Sequence, residues 1–354
     1  MNEQALAAYL AQKLNEPVRV LGITQAFPGL SRETYLVRIS RGPESASRDD
    51  GVVVRVDPPG GPFVPVPLFY EWQVYVHVAR TPIPIAKPLW YDASPEITDG
   101  RPLFVRSLVE GVTLLAGLND ATEEAAERRR RIALEHAEKL ASLHRLDWQN
   151  YGFDTFMAVP ASAEEFPRME LMRWWKTWEE VRTAPFAVVT EALHWFEEHL
   201  PRCAAHISLC KGQNGIGEEI WRDDKIVAFS DWELAHIGDP CQDLALSQGM
   251  LKLWDREKIL AHYERAAGLS LPRENIAFYL VWNAFKSMLA LNNGLRFFIS
   301  GEYPRLARAT LGYGKVKIYE HLLGRIIDMD LMQAAEFIMQ GQPNPYHNKK
   351  VVGG

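Results

Sequence analysis

SLCKGQNGIGEEIWRDDKIVAFSDWELAHIGDPCQDLA, residues 208–245, decides how the chain is read. Within it, the apolar run Ile226, Val227, Ala228 and Phe229 has the composition of a strand and leads to Asp231. A carboxylate at a strand end, facing a cleft, suits Mg²⁺, a hard cation that takes one or two carboxylates together with phosphate oxygens. Gly238-Asp239-Pro240 is a turn. Asp243 opens the helix after it, where a carboxylate caps N–H groups or braces the adjoining loop. Just upstream, residues 219–221 and 226–230 read as a strand pair joined by the turn Arg222-Asp223-Asp224.

Outward from this stretch the chain changes character once. Residues 18–23, 34–39 and 52–56 are runs rich in β-branched side chains, and the polar segment 41–50, with Gly42 and Pro43, reads as a surface connection. Residues 68–79 contain no Gly or Pro and suit a helix. Residues 89–91 and 103–108 are placed to pair across an Asp99-Gly100 turn. After Gly111 helical patterns dominate, at 122–145, 169–182, 190–199 and beyond Asp243. At the N-terminus, Leu6, Tyr9, Leu10 and Leu14 fall at helical spacing. The order predicts an α+β, bilobal protein, with a small β-rich N-lobe over residues 1–107 and a larger, mostly helical C-lobe over residues 108–354. A cleft is expected between them.

With 354 residues, 47% of them hydrophobic, the chain exceeds what one core usually organises. A net charge of −6 with interspersed signs leaves no electrostatic footprint for nucleic acid or an anionic membrane. Three cysteines (Cys203, Cys210, Cys241) without C-x-x-C spacing form neither a disulfide framework nor a zinc motif. Glu3 stands where a signal peptide would be basic, and no stretch approaches the ~18 apolar residues of a membrane span. A soluble, cytoplasmic protein that binds a small molecule is expected. Its oligomeric state is not legible. Cys210, His144, His236 and the tryptophans Trp174, Trp175, Trp178 and Trp195 read first as packing residues.

The pattern D-W-E-L-A-x-x-G-D-P-x-x-D-L-A, residues 231–245, closely resembles the aminoglycoside phosphotransferase-like family, a branch of the protein-kinase-like fold. It is most similar to the branch found with acyl-CoA dehydrogenases. Pro28-Gly29-Leu30-Ser31-Arg32-Glu33-Thr34-Tyr35 is similar to that family's nucleotide-covering hairpin, where a glycine lets backbone approach phosphates. Arg55 in VVVRVDPPGG matches the strand cation of the family, and Glu71 its ion-pair partner. PLFVRSLVEG (102–111) resembles the interlobe hinge, and LASLHRLD (140–147) a helix-end motif. The resemblance implies ATP and Mg²⁺ as cofactors, nucleotide contacts from Gly29, Ser31, Arg55 and Glu71, and metal contacts from Glu218 and Asp231.

One loop departs from the family. Where the pattern is H-G-D-x-x-x-x-N, this chain has Lys211-Gly212-Gln213 and then Glu218. The catalytic candidates are therefore Lys211, Gln213, Glu218 and Asp231. An amide such as Gln213 is no base at neutral pH, and general-base help is typically worth ~10² to ~10⁴ in rate. Phosphoryl transfer rests mainly on positioning and charge, so a slow phosphotransferase stays open. Glu218 retains the capacity to ligate Mg²⁺, and a Lys211–Glu218 ion pair is one arrangement the swap allows. Three functions follow: an atypical phosphotransferase acting on a small hydroxylated metabolite; a kinase-fold enzyme doing acid–base or lyase chemistry without ATP through Lys211, Glu218 or Glu219; and a non-catalytic pseudokinase.

Overall fold

Alternation of side chains organises the N-terminal sheet. In β3 (Arg48–Val56), Val52, Val54 and Val56 face one side and Val53 and Arg55 the other; in β5 (Leu103–Ser107), Leu103 and Val105 oppose Phe104 and Arg106. The first set packs on α1 (Glu3–Leu14), whose Leu6, Tyr9 and Leu10 complete a small core. Each buried valine contributes roughly 1.5 kcal/mol. The second set faces the helical lobe. With β1 (Val18–Gln25), β2 (Glu33–Arg41) and β4 (Pro88–Asp92), these strands form an antiparallel sheet in the order β1-β2-β3-β5-β4. The computed structural model describes residues 1–26, 31–62, 64–201, 206–215, 217–302 and 306–341.

Two expectations for this sheet need correction. β3 begins at Arg48, inside the segment read as a loop, because the register carries pairing out to Arg41↔Arg48. β4 and β5 do pair, but ten residues join them rather than an Asp-Gly hairpin turn. Asp99, with φ 54°, ends a short 3-10 turn within that connection.

α2 (Leu68–Val78) lies behind the sheet. Its Leu68, Val74, Tyr75 and Val78 belong to the large core of the helical lobe, as does Phe104 of β5. That core is built around α3 (Glu123–His144), α4 (Phe166–Val181), α5 (Ala187–Glu198), α6 (Cys241–Leu246), α7 (Gln248–Leu251), α8 (Arg256–Ala267) and the 27-residue α9 (Arg273–Ile299), followed by α10 (Leu306–Ile326) and α11 (Leu331–Gly341). α3 starts where expected because the Thr122 hydroxyl accepts from Ala125 N at 3.2 Å, an N-cap bond.

Three small features place the site. β7 (Glu219–Arg222) and β8 (Lys225–Phe229) form the expected hairpin. Its turn residues Asp223 and Asp224 have φ of 53° and 57°, the paired left-handed conformation of a two-residue hairpin. The interlobe segment is tied down by reciprocal bonds between Val112 and Trp221, both 2.8 Å. Gly111 fits there because a Cβ would stand 2.6 Å from Trp221 O. β6 (Ser208–Cys210) and β9 (His236–Gly238) pair antiparallel and set residue 211 beside the Asp231 loop.

Candidate active site: the interlobe cleft

A cavity of 310 Å³ opens between the sheet and the β7–β8 hairpin, at the small end of the range for small-molecule sites. Leu36 and Val53 line it from the sheet, Leu108 and Val109 from the interlobe segment, and Ile220, Glu218 and Asp231 from the helical lobe. Asp231 has φ 58°, a left-handed conformation uncommon for a non-glycine residue. Strain of this kind persists where surrounding structure over-determines it, and such positions cluster at functional sites.

Behind the cavity lies a buried ion network. Arg55 Nε donates to Glu71 Oε2 at 2.8 Å, and its Nη2 to Asp231 Oδ1 at 2.9 Å and Glu233 Oε2 at 3.4 Å. Arg32, 1% exposed, bonds Asp57 at 2.8 Å and also donates to Glu233 and to Val66 O. Ser31 Oγ donates to Glu233 at 2.9 Å. Counting Lys211, three cations face the five carboxylates Asp57, Glu71, Glu218, Asp231 and Glu233.

Burial and the neighbouring charges together set the protonation of these carboxyls. Burial, then the Asp231 charge, push the Glu218 carboxyl up to about 8. Burial and Asp231 likewise raise Glu233 to about 7 against the pull of Arg32 and Arg55. At Asp231 burial opposes ionisation, but Arg55, Lys211 and Arg32 outweigh it and hold the group below the usual range. Glu218 and Asp231 are hydrogen-bonded to each other through their carboxyls. Two carboxyls sharing a proton at a cavity wall are a donor set in which a hard dication can replace the proton. The residues therefore fit Mg²⁺.

The loop before Glu218 is held from below. Asp243 Oδ2 accepts from Lys211 N at 2.7 Å and Oδ1 from Gly212 N at 2.8 Å, while His144 Nε2 lies 3.1 Å from Oδ2. Burial resists the Asp243 charge, but the His144 bond and these amides bring its carboxyl well below the ordinary range. Asp243 is thus a brace. His144, Cys210 and Asp243 cluster closely enough to suggest metal ligands. However, His144 also bonds Tyr263 at 2.5 Å, and burial drives the Cys210 thiol far up, so these donors are committed internally. Gly212 has φ 78°, and a Cβ would overlap Leu234 O, so only glycine fits.

Among the sequence-derived candidates, Ser31, Arg55, Glu71, Glu218 and Asp231 converge on the cleft. Gly29 lies outside the described residues. Lys211 is fully buried, and its ammonium goes to the carbonyls of Gln213 and Asp231 (3.3 Å to the latter), 5.9 Å from the Trp232 ring centroid. It does not form the ion pair with Glu218 that the swap allowed, although its charge still lowers that carboxyl's pKa. Gln213 is half-buried and follows Gly212. Glu219 is fully buried and lies 2.5 Å from His136 Nδ1. Sequence reasoning passed over Arg32, Glu233 and Arg106. Glu233 stood inside the quoted motif, and strand parity with Phe104 puts Arg106 on the cleft face, so both had a readable signal.

Comparison with known proteins agrees with this geometry. The model of a phosphotransferase enzyme family matches residues 23–279. Acyl-CoA dehydrogenase family member 11 of Rattus norvegicus is 24% identical over 292 residues, which is 78% of this chain and 35% of the relative. The chain thus spans about a third of the length of that curated relative. Among solved structures, a Ralstonia eutropha protein assigned as an aminoglycoside phosphotransferase superposes with a TM-score of 0.65 at 18% identity, covering 97% of this chain and 99% of that one. A thermostable mutant of aminoglycoside phosphotransferase APH(4)-Ia, in ternary complex with ADP and hygromycin B, gives 0.55 at 16% identity over 90% and 98%. At these identities the likeness is one of fold, and that fold is kinase-like. No helix among the described residues is long and apolar enough to cross a membrane.

Proposed function

The chain belongs to the phosphotransferase enzyme family, and on that premise we propose that it is an atypical nucleotide-dependent phosphotransferase acting on a small hydroxylated molecule. One observation carries this reading: Arg55 spans from Glu71 on α2 to Asp231, on the wall of a cavity backed by a buried network in which carboxylates outnumber cations. Such a set suits phosphates bridged by a metal. It suits a neutral apolar ligand poorly, because the charges would stay buried and uncompensated. Bound Mg²⁺, held by Asp231 and Glu218, would neutralise charge on the transferring phosphoryl group.

The chain's own residues supply the rest. Arg55, oriented by Glu71, offers donors to phosphate oxygens. The acceptor hydroxyl oxygen forms a bond to the terminal phosphorus as the bond to the nucleoside diphosphate breaks. Gln213 can orient that hydroxyl but cannot take its proton, which passes to a phosphoryl oxygen of the product. Turnover is accordingly slower by ~10² to ~10⁴ than with an aspartate base. Acid–base chemistry without nucleotide has fewer groups to draw on, since Lys211 and Glu219 are held by internal partners.

The test is incubation with Mg·ATP or Mg·GTP and a panel of aminoglycosides, amino alcohols and hydroxyacyl thioesters, read by mass spectrometry. A phosphorylated product that disappears in Asp231→Asn supports the proposal. No product, together with a melting temperature indifferent to Mg·nucleotide, removes it.

A further inference from the structure

The inner end of the cleft contains a cation with no role in the chemistry above. Arg106 is 8% exposed and lines the 310 Å³ cavity. Its partner across the sheet is Val53, two residues from Arg55, so both guanidinium groups face the cleft. α2 treats them differently. Glu71 and Tyr75 lie one turn apart on that helix. Glu71 bonds Arg55, whereas Arg106 has the Tyr75 ring, 5.6 Å from guanidinium carbon to centroid. The buried Nε of Arg106 has no hydrogen-bond partner. A ring face offsets part of the cost of burying this charge, but it does not replace an oxygen acceptor for the Nε–H. A ligand oxygen in the cavity would supply one.

Given the nucleotide-binding reading above, on which this step rests, we infer that Arg106 reads the base. The cleft prefers a purine nucleotide with oxygen at C6, guanine or hypoxanthine, over adenine. Leu36 and Val53 on one side and Ile220 on the other supply apolar surface for a ring system, and Arg55, Glu218 and Asp231 mark the phosphate end. A base lying between them turns its far edge to Arg106. A guanidinium presents parallel N–H donors, and the O6 and N7 acceptors of a 6-oxopurine take two of them. Adenine offers N7 alone and sets its N6 amine, itself a donor, against the other N–H. The contact does not involve the guanine 2-amino group, so hypoxanthine serves as well as guanine.

Isothermal titration calorimetry of the full chain with the Mg²⁺ complexes of ADP, GDP and IDP tests this. GDP and IDP should bind alike, each about tenfold or more tighter than ADP. In Arg106→Met, which keeps an unbranched side chain, IDP affinity should fall to that of ADP while ADP binding is unchanged or improved. ADP binding as tightly as IDP in the native chain overturns the inference and leaves the phosphotransferase reading intact. A preference for IDP that survives in a folded Arg106→Met does the same. Failure of all three nucleotides to bind brings down the reading and the inference together.

Discussion

Lys286 shows what a single residue can cost this fold. It is 6% exposed on α9, and its ammonium lies 5.5 Å from the Trp174 ring centroid. Burial lowers its pKa to about 8, against the pull of Glu170; Arg173 lowers it further, and Asp243 and Cys210 also bear on it. A lysine whose folded pKa lies below its unfolded value binds fewer protons in the native state, so it penalises stability at neutral pH. The penalty is relieved as pH rises from about 8 toward the unfolded value. Lys286→Met should therefore be more stable than the parent at pH 7 by on the order of 2 kcal/mol. The urea midpoints of the two proteins should draw together as pH rises from about 8 and meet only above the unfolded value of 10.5, and a constant gap would exclude this account. Gln213 makes the second residue-scale case. Gln213→Asp should raise phosphate transfer by ~10², because it puts a proton acceptor where the chain has an amide; single-turnover rates read it. The charged residues show how far sequence reaches at this scale. Arg55, Glu71, Glu218 and Asp231 were legible because a motif fixes their order. Arg32 was not, since nothing in its neighbours says that a polar hairpin residue turns inward to Glu233.

At the scale of elements, what was legible had a period or a punctuation mark. α1 and α3 follow helical spacing, α2 the absence of Gly and Pro, and the β7–β8 hairpin its Arg-Asp-Asp turn. The β6–β9 pair was not legible, because three residues per strand carry no period. Yet this pair, with Asp243 beneath it, fixes the loop that carries Gln213. Asp243 accepts from two consecutive amides there, and Gly212 supplies the left-handed backbone that lets both point at one carboxylate. Gly212→Ala is expected to cost about 3 kcal/mol or more, since backbone strain adds to overlap with Leu234 O. Thermal unfolding measures the loss, and a midpoint within a degree of the parent would show that the loop is not clamped as described. A control, Gly268→Ala, has an open site for its Cβ at φ 68° and should lose only the backbone part.

The molecule as a whole joins a small core under α1 to a large one that crosses the lobe boundary. Leu68, Val74, Tyr75 and Phe104 pack with the helical lobe although their elements belong to the sheet side. The cleft is therefore floored by shared core, and the charges set into it act on the entire fold. Four cations, Arg106 included, against five carboxylates leave a surplus of negative charge at the cleft that protonation of Glu218 and Glu233 relieves. A dication placed against Glu218 and Asp231 removes the same surplus, and it does so only in the native state, where those two groups meet. Mg²⁺ alone, without nucleotide, should then raise the melting temperature, by about 2 °C once its concentration is roughly ten times its dissociation constant. The shared core further requires that one cooperative transition move as a unit, with no second transition left behind at the original temperature. Sodium chloride at matched ionic strength supplies the screening without the coordination, and should give a smaller shift. Asp231→Asn removes half of the donor pair and should abolish the Mg²⁺-specific part. Calorimetric scans of parent and variant decide the matter: an equal response of both proteins to Mg²⁺ and to sodium would mean that the carboxylates of the cleft bind no metal.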